Sequence, residues 1–163
     1  MKICYEPIGF IKTPFKEPKG TPIQPTAAGG IRGTIELKKK YRTALQDLEG
    51  FSHIILLYHF HLAKKPAMLI EPFLDGKKHG VFACRAPSRP NPIGISIVKI
   101  IQIEANKITV EDVDIVDGTP LLDIKPYVER FDKRENTSIG WLEGQISRHH
   151  QIVDDGRFMK RKR

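Results

Sequence analysis

The residues of this chain best suited to chemistry lie in one proline-rich stretch, residues 84–96. This stretch carries Arg85, Arg89, Asn91 and Ser96, and three prolines stand within six of its residues. Each proline fixes its own φ, removes a backbone donor and pushes the residue before it towards extended geometry, which predicts a stiff loop. Apolar runs on both sides predict buried strands. Arginines on a stiff loop between strands are typical of a site for carboxylate or phosphate groups, whereas a loop kept rigid for stability alone is the alternative.

A second proline-framed loop follows about thirty residues later, at residues 117–127. It reads Asp-Gly-Thr-Pro-Leu-Leu-Asp-Ile-Lys-Pro-Tyr, so charged side chains again stand close together on a restrained backbone. Asp123 of this loop could accept hydrogen bonds from hydroxyl or ammonium groups. The two loops together predict a binding pocket rather than a plain surface.

The two blocks resemble those of the TsaA-like, TrmO-type protein family. Residues 85–96 match its RSPxRPNPIGxS-like block, and residues 117–127 match its DGTPxxDIKPY-like block. Residues 7–16, the pair Gln24-Pro25 and residues 50–53 match further landmarks in register. The resemblance covers residues 8–127, and five weak motifs in order make a strong signal.

This resemblance implies an S-adenosylmethionine-dependent methyltransferase. Its expected acceptor is the exocyclic N6 of threonylcarbamoylated adenosine at position 37 of tRNA, beside the anticodon. The apolar segments at residues 68–70 and 72–74 need cover, so we expect a homodimer, as the family also implies, with the cofactor pocket close to the interface. Two cysteines without a CxxC pair indicate a reducing cytoplasm. The chain has no GxGxxG turn between a strand and a helix and no P-loop, so the cofactor is not expected on a Rossmann domain.

The resemblance also implies which residues contact the cofactor. Carried over position by position, they are Gln24, Pro25, Thr26, Ala27, His61, Leu62, Arg85, Arg89, Ile95, Gly118, Thr119, Pro120, Leu121, Asp123, Ile124 and Lys125. Arg85 or Arg89 would pair with the carboxylate of the cofactor, since a guanidinium can hold it by two hydrogen bonds.

Two residues are candidates for catalysis. N6 of adenine is a poor nucleophile because its lone pair is delocalised into the ring, so an acceptor for its N–H groups would help. Asn91 offers such an acceptor between two prolines, and Asp123 is the second candidate. Asn91 as a plain turn residue is the alternative, and Tyr127 could stack on a base.

Composition indicates a single soluble domain of 163 residues with 40% hydrophobic residues and no run long enough to span a membrane. Residues 1–137 are predicted to form the barrel domain. Residues 138–163 would form a C-terminal extension, without the second domain of longer family members. The net charge is +8, but residues 157–163 hold five of the basic side chains, and the remainder carries +3. We expect this basic tail to be solvated, to attract phosphate backbone and to lie apart from the cofactor pocket.

Alternating apolar residues predict a mainly β fold, a small β-barrel or curled antiparallel sheet with short helices and long proline-rich loops. Residues 97, 101 and 103 are expected on one face. The predicted strands cover residues 5–12, 31–37, 53–62, 81–84, 95–104 and 107–114, with one short helix at 41–48, a small helix or strand near 140–143 and an irregular loop at 13–30.

Two other functions remain open at this level. The chain could bind S-adenosylmethionine without methylating tRNA, or it could be an RNA-binding module without chemistry. His59 and His61 share a strand face, but no carboxylate stands in register with them, so no metal is expected. His149 and His150 are expected to be solvated.

Overall fold

The computed structural model describes residues 1–147 and 152–159. Over these residues the strands and the single α-helix are β1 (Gly9–Lys12), β2 (Arg32–Leu37), β3 (His53–His59), β4 (Leu69–Ile70), β5 (His79–Gly80), β6 (Ile93–Glu104), β7 (Lys107–Glu111), β8 (Thr119–Pro126) and α1 (Glu129–Asp132). Short 3-10 helices cover Pro25–Ala27, Lys39–Leu45, Leu48–Gly50, Val81–Ala83 and Gly140–Leu142.

Six of these strands close into an antiparallel barrel in the order β1-β2-β7-β6-β3-β8, and β4 pairs with β5 in a separate ribbon. The predicted mainly β class, with short helices and long loops, is confirmed. Closure pairs every strand on both sides, so the barrel is a rigid frame for the loops at its ends. In the described part of the chain, no helix is long and apolar enough to cross a bilayer.

The barrel interior is filled by alternate residues of each strand. On β3, Ile54, Leu56 and Tyr58 are buried, while Ile55 and Leu57 face outward and are partly exposed. Burying one such aliphatic side chain contributes about 2 kcal/mol. The period of two predicted from the sequence therefore sets both the core and the outer face.

The outer face of β6 differs from the prediction. A register shift between Ile100 and Gln102 in the pairing with β7 changes which side chains face the core beyond it. Ile103 consequently packs against the core, whereas Ile97 and Ile101 are 40% and 37% exposed. The expectation that these three isoleucines share one face was wrong, because a bulge interrupts the alternation.

Two local predictions also need correction. Residues 81–84 are not a strand: Val81–Ala83 forms a 3-10 helix, closed by the hydrogen bond from Cys84 N–H to the Val81 carbonyl at 3.3 Å. The ribbon ends at Gly80 and offers no partner strand. The helix predicted at residues 41–48 is a 3-10 helix that buries only Leu45, too small an apolar face to support an α-helix.

A second hydrophobic cluster packs loops and C-terminal residues together. Its members are Ile70, Val81, Cys84, Ala86 and Phe158, with Ala67, Phe73 and Trp141 against them. Residues 152–159, which we call the C-terminal strap, form isolated β-bridges from Val153 to Pro22 and from Met159 to Ala63. The tail is therefore packed up to residue 159, contrary to expectation. Residues 160–163 and the pair His149-His150 lie outside the described residues.

Candidate functional site

A cleft of about 670 Å³ lies between one end of the barrel and the loops that cover it. Antiparallel pairing brings the end of β3, the start of β6, the start of β8 and the segment after β7 to the same rim. The loop after β1, the proline-rich loop and the C-terminal residues complete the walls. This volume is in the range of sites for drug-sized ligands and nucleotides.

Arg85 joins two predicted parts of the site. Its Nη1 donates to Gln24 Oε1 at 3.1 Å, which links the loop after β1 to the proline-rich loop across 61 positions of sequence. Both side chains line the cleft. The guanidinium therefore lines the cleft with one hydrogen bond to orient it, and it can pair with an anionic ligand group there.

Arg89 also lines the cleft, but its Nη1 holds the loop together. It donates to the Cys84 carbonyl at 2.7 Å and lies 3.4 Å from the carbonyls of Val81 and Ala86. One guanidinium nitrogen thus lies within hydrogen-bonding distance of three backbone carbonyls of the segment that it closes. Arg89 is in this structure a support for the loop that carries Arg85.

A buried chain of hydrogen bonds forms the floor of the cleft. The Ser96 hydroxyl donates to Asp114 Oδ1 at 2.6 Å and lies 3.0 Å from the Tyr58 hydroxyl. Because the Ser96 proton is committed to Asp114, Tyr58 donates to Ser96. Tyr58 and Asp114 both line the cleft, so the chain connects the barrel core to the ligand space.

Asp114 is the most perturbed carboxyl group among the described residues. Burial raises its pKa from 3.8 to about 6, although the hydrogen bond from Ser96 and the charge of Arg85 act in the opposite direction. Burial, and then the charge of Asp114, raise the pKa of the Tyr58 phenol well above its ordinary value. A carboxyl group whose ionisation is opposed by burial, and which lines a cleft, is a candidate partner for a cationic ligand group.

His61 and Thr119 meet on the rim, as two of the predicted contact residues. Thr119 Oγ1 donates to the Val116 carbonyl at 2.7 Å and lies 3.4 Å from His61 Nδ1. Burial, and the neighbouring His59, lower the pKa of His61, so its ring is neutral at physiological pH. The Thr119 contact favours the tautomer with its hydrogen on Nδ1 and an acceptor at Nε2.

The predicted cofactor residues divide into two sets. Those that line the cleft are Gln24, Thr26, His61, Leu62, Arg85, Arg89, Ile95 and Thr119. Those that do not line it are Pro25, Ala27, Gly118, Pro120, Leu121, Asp123, Ile124 and Lys125. Leu121 is fully buried in the barrel core, where it packs with the other inward residues.

Neither predicted catalytic residue lines the cleft of a single chain. Asn91 is exposed, and its backbone carbonyl accepts the Ile93 N–H at 2.8 Å. Asp123 lies opposite Leu57 on the outer face of the barrel, where its carboxylate contacts Lys125 Nζ at 2.8 Å. Their roles stay predictions.

Several residues that line the cleft were missed from the sequence. Asp114, Tyr58, Trp141 and Phe158 belong to the walls, and so does Asp154, whose pKa is raised chiefly by burial. Asp114 carried no signal of its place in the cleft, because alternation with the apolar Val113 and Ile115 predicts a carboxylate on the opposite, solvent-facing side. Trp141 and Phe158 carried none, since only tertiary packing brings them to the cleft. No group of three or more His, Cys, Asp or Glu side chains could hold a metal ion within residues 1–147 and 152–159.

Comparison with known proteins agrees with this architecture. The family model described as the tRNA-methyltransferase O N-terminal domain matches residues 10–133. The chain belongs to this family. The TrmO family was the one predicted from the two proline-framed blocks, so that prediction is confirmed.

Individual relatives extend the comparison. A "Probable S-adenosyl-L-methionine-binding protein" of Pyrococcus abyssi is 57% identical over 97% of this chain and 86% of its own length. The mouse tRNA (adenine(37)-N6)-methyltransferase is 38% identical over 82% of this chain, which spans 33% of that enzyme. The crystal structure of TrmO from Pseudomonas aeruginosa superposes with a TM-score of 0.73 at 39% identity, covering 86% of this chain and 63% of that one. These names agree with the predicted cofactor and enzyme class.

Proposed function

We propose that this protein binds S-adenosylmethionine in the cleft and methylates N6 of adenosine 37 in tRNA, with the threonylcarbamoylated base as the acceptor. The observation that carries the proposal is the meeting of Arg85, Gln24, His61 and Thr119, predicted as cofactor contacts, in one cleft of a TrmO-family barrel. The relatives' names support the same cofactor and N6 of adenine 37 as the acceptor atom, while the threonylcarbamoyl group rests on the family resemblance.

The donor set of the cleft fits the cofactor. Arg85 would hold a carboxylate, Asp114 would face an ammonium or sulfonium cation, and aromatic walls suit an adenine ring. When bound, S-adenosylmethionine supplies a methyl group already activated by its sulfonium. The remaining task of the protein is to orient the acceptor nitrogen and to exclude water, and rigid cleft walls favour the first of these.

The homodimer remains part of this proposal, supported by an apolar outer face. Ile55, Leu57, Ile95 and Ile97 form this face on β3 and β6, with Asp123 at its border. Ile95 also lines the cleft. A second copy packed on this face would lie at the mouth of the cleft, and Asp123 of each copy would approach the cleft of the other.

Light scattering with single variants tests this assembly. Ile97→Lys places a charge on the outer face away from the cleft and should yield monomers. Phe10→Lys changes an equally exposed side chain on β1 and serves as the control. A wild-type protein that is monomeric at micromolar concentration and still binds the cofactor would exclude the dimer.

The activity is tested with purified protein and labelled S-adenosylmethionine. Wild-type protein should transfer methyl groups to tRNA carrying threonylcarbamoyladenosine, and nucleoside mass spectrometry should locate them on N6. Arg85→Ala should weaken cofactor binding by about 1.5–3 kcal/mol, the value of a lost charged hydrogen bond. Arg130→Ala, on the exposed helix α1, is the matched control.

One observation favours a second candidate, a binding protein without methylation activity. Asn91 and Asp123, the predicted acceptors for the N6 hydrogens, both lie outside the cleft of one chain. Calorimetric binding of S-adenosylmethionine without any methyl transfer, to tRNA from cells lacking this protein, would decide for this alternative. The cytoplasmic location stays a prediction.

A further inference from the structure

One wall of the cleft is built by residues beyond the stretch matched by the family model. That match ends at residue 133, whereas Trp141, Leu142, Ile146, Asp154 and Phe158 all line the cleft. The wall is mainly apolar and aromatic. It contrasts with the polar floor of the cleft, so the two sides offer different chemistry to a ligand.

Trp141 is held in one orientation in this wall. Its Nε1 donates to the Ala83 carbonyl at 2.8 Å, and its indole stacks on the His79 ring with centroids 4.5 Å apart and planes 24° apart. His79 in turn contacts Asp75 through Nε2 at 3.0 Å. An indole fixed by a hydrogen bond and a stacked ring needs no further ordering when a ligand binds.

Phe158 is fixed by the C-terminal strap. Its carbonyl accepts the Lys64 N–H at 3.1 Å, and its ring meets Phe73 edge to face at 5.2 Å. The Arg157 guanidinium covers the Phe73 ring at 4.9 Å from its centroid. Phe73, Phe158 and Trp141 therefore form a preorganised aromatic wall, which we call the aromatic wall from here on.

We propose that the aromatic wall is a subsite for a purine ring, with Trp141 as its main contact. Flat aromatic side chains bind bases through their faces, and this contact does not depend on base identity. The subsite rests on the proposed function, in which both the cofactor and the acceptor nucleotide carry adenine. Purine is thus the shared chemistry, and its source is decided by experiment.

The single tryptophan of the chain makes the wild-type protein its own probe. Titration with adenosine and with S-adenosylhomocysteine should change Trp141 emission, whereas methionine should not. Unchanged emission with both purine ligands, while calorimetry shows S-adenosylhomocysteine bound, would overturn the subsite and leave the proposed function standing. A change in emission with adenosine, without any binding of S-adenosylhomocysteine, would support the subsite and overturn the proposed function.

Variants identify the source of the purine. Trp141→Leu removes the flat ring and should weaken purine binding by about ten-fold, while Trp141→Phe should stay close to wild type. Phe131→Leu, on the exposed helix α1, is the control. Weaker binding of S-adenosylhomocysteine by Trp141→Leu assigns the aromatic wall to the cofactor. Adenosine is also added to protein saturated with S-adenosylhomocysteine. If Trp141→Leu weakens only this binding of adenosine, the aromatic wall belongs to the acceptor. Unchanged affinity in both measurements would refute the proposal.

Discussion

Replacing Asp114 by asparagine should make the protein more stable at neutral pH and weaken its binding of the cofactor. Asparagine keeps an oxygen that can accept the Ser96 hydroxyl but carries no charge. The ionised carboxylate is costly in the folded protein because burial raises its pKa. The carboxylate of Asp114 would then serve as a partner for a cationic ligand group. Such a side chain lowers the stability of the fold but supports binding, which is a common conflict between stability and function.

The size of the effect follows from the pKa. One pKa unit corresponds to about 1.4 kcal/mol, so ionising a carboxyl whose pKa rises from 3.8 to about 6 costs about 3 kcal/mol. Partial exposure reduces this to about 2 kcal/mol. The folded protein binds this proton more tightly than the unfolded chain does. The penalty is therefore absent below pH 3.8, grows as the pH rises and is complete above about 6.

Urea unfolding at two pH values tests this reasoning. Asp114→Asn should raise the free energy of unfolding at about pH 7.5, and most of that gain should vanish at about pH 4. Glu135→Gln, whose side chain is 77% exposed, should change stability little at either pH. Calorimetry with S-adenosylhomocysteine should show weaker binding for Asp114→Asn alone. A gain that is equal at both pH values, or no gain, would refute the assigned burial penalty.

The remaining predictions concern the barrel rim and the two parts of the C-terminus. Gly94→Ala should destabilise the protein by about 1–3 kcal/mol in urea unfolding, because a Cβ there would overlap the Tyr58 ring. Gly76→Ala, where a Cβ meets nothing within 4 Å, should be nearly neutral. Deleting residues 160–163 should flatten the salt dependence of tRNA binding by up to about 3 in log–log slope without changing affinity for S-adenosylhomocysteine. Deleting residues 152–163 should weaken that affinity as well, because the strap forms part of the cleft.

Local patterns predicted much of the fold but not its closure. The hairpin of β6 and β7 and its turn at Ala105-Asn106 were predicted because alternating side chains and the turn are visible in the sequence, and Ala105 has the positive φ of a tight turn. The second strand was predicted too long, since β7 ends at Glu111. Barrel closure depends on β1 pairing with β8, where Gly9 lies opposite Leu121. The alternation of side chains within a strand does not indicate which strand it pairs with, least of all one more than 100 residues away in the sequence. The 3-10 helix at Val81–Ala83 was missed because a short apolar run looks alike in a strand and in a buried turn.

The site shows the same division between motif and packing. The two proline-framed blocks predicted that Arg85 and Thr119 belong to one pocket, and both line the cleft. The same reasoning assigned Asp123 to that pocket, but β8 alternates, and the pairing of Asp123 with Leu57 turns it to the outer face. A motif gives the order of residues along a strand, while the strand's register decides which of them reach the ligand.

The C-terminal strap is a part of the cleft that tertiary packing, and not a sequence motif, brings into place. The tail was expected to contribute only charge, yet Phe158 is 8% exposed and packs into the cluster that supports the proline-rich loop. The floor of the cleft comes from the barrel shared with the family, whereas the aromatic wall takes Trp141 and Phe158 from beyond the matched stretch and Phe73 from within it. Two relatives with the same barrel can therefore keep the same polar contacts to the ligand and differ in the aromatic wall. Exchanging residues 138–159 between such relatives would then change ligand preference without altering the barrel.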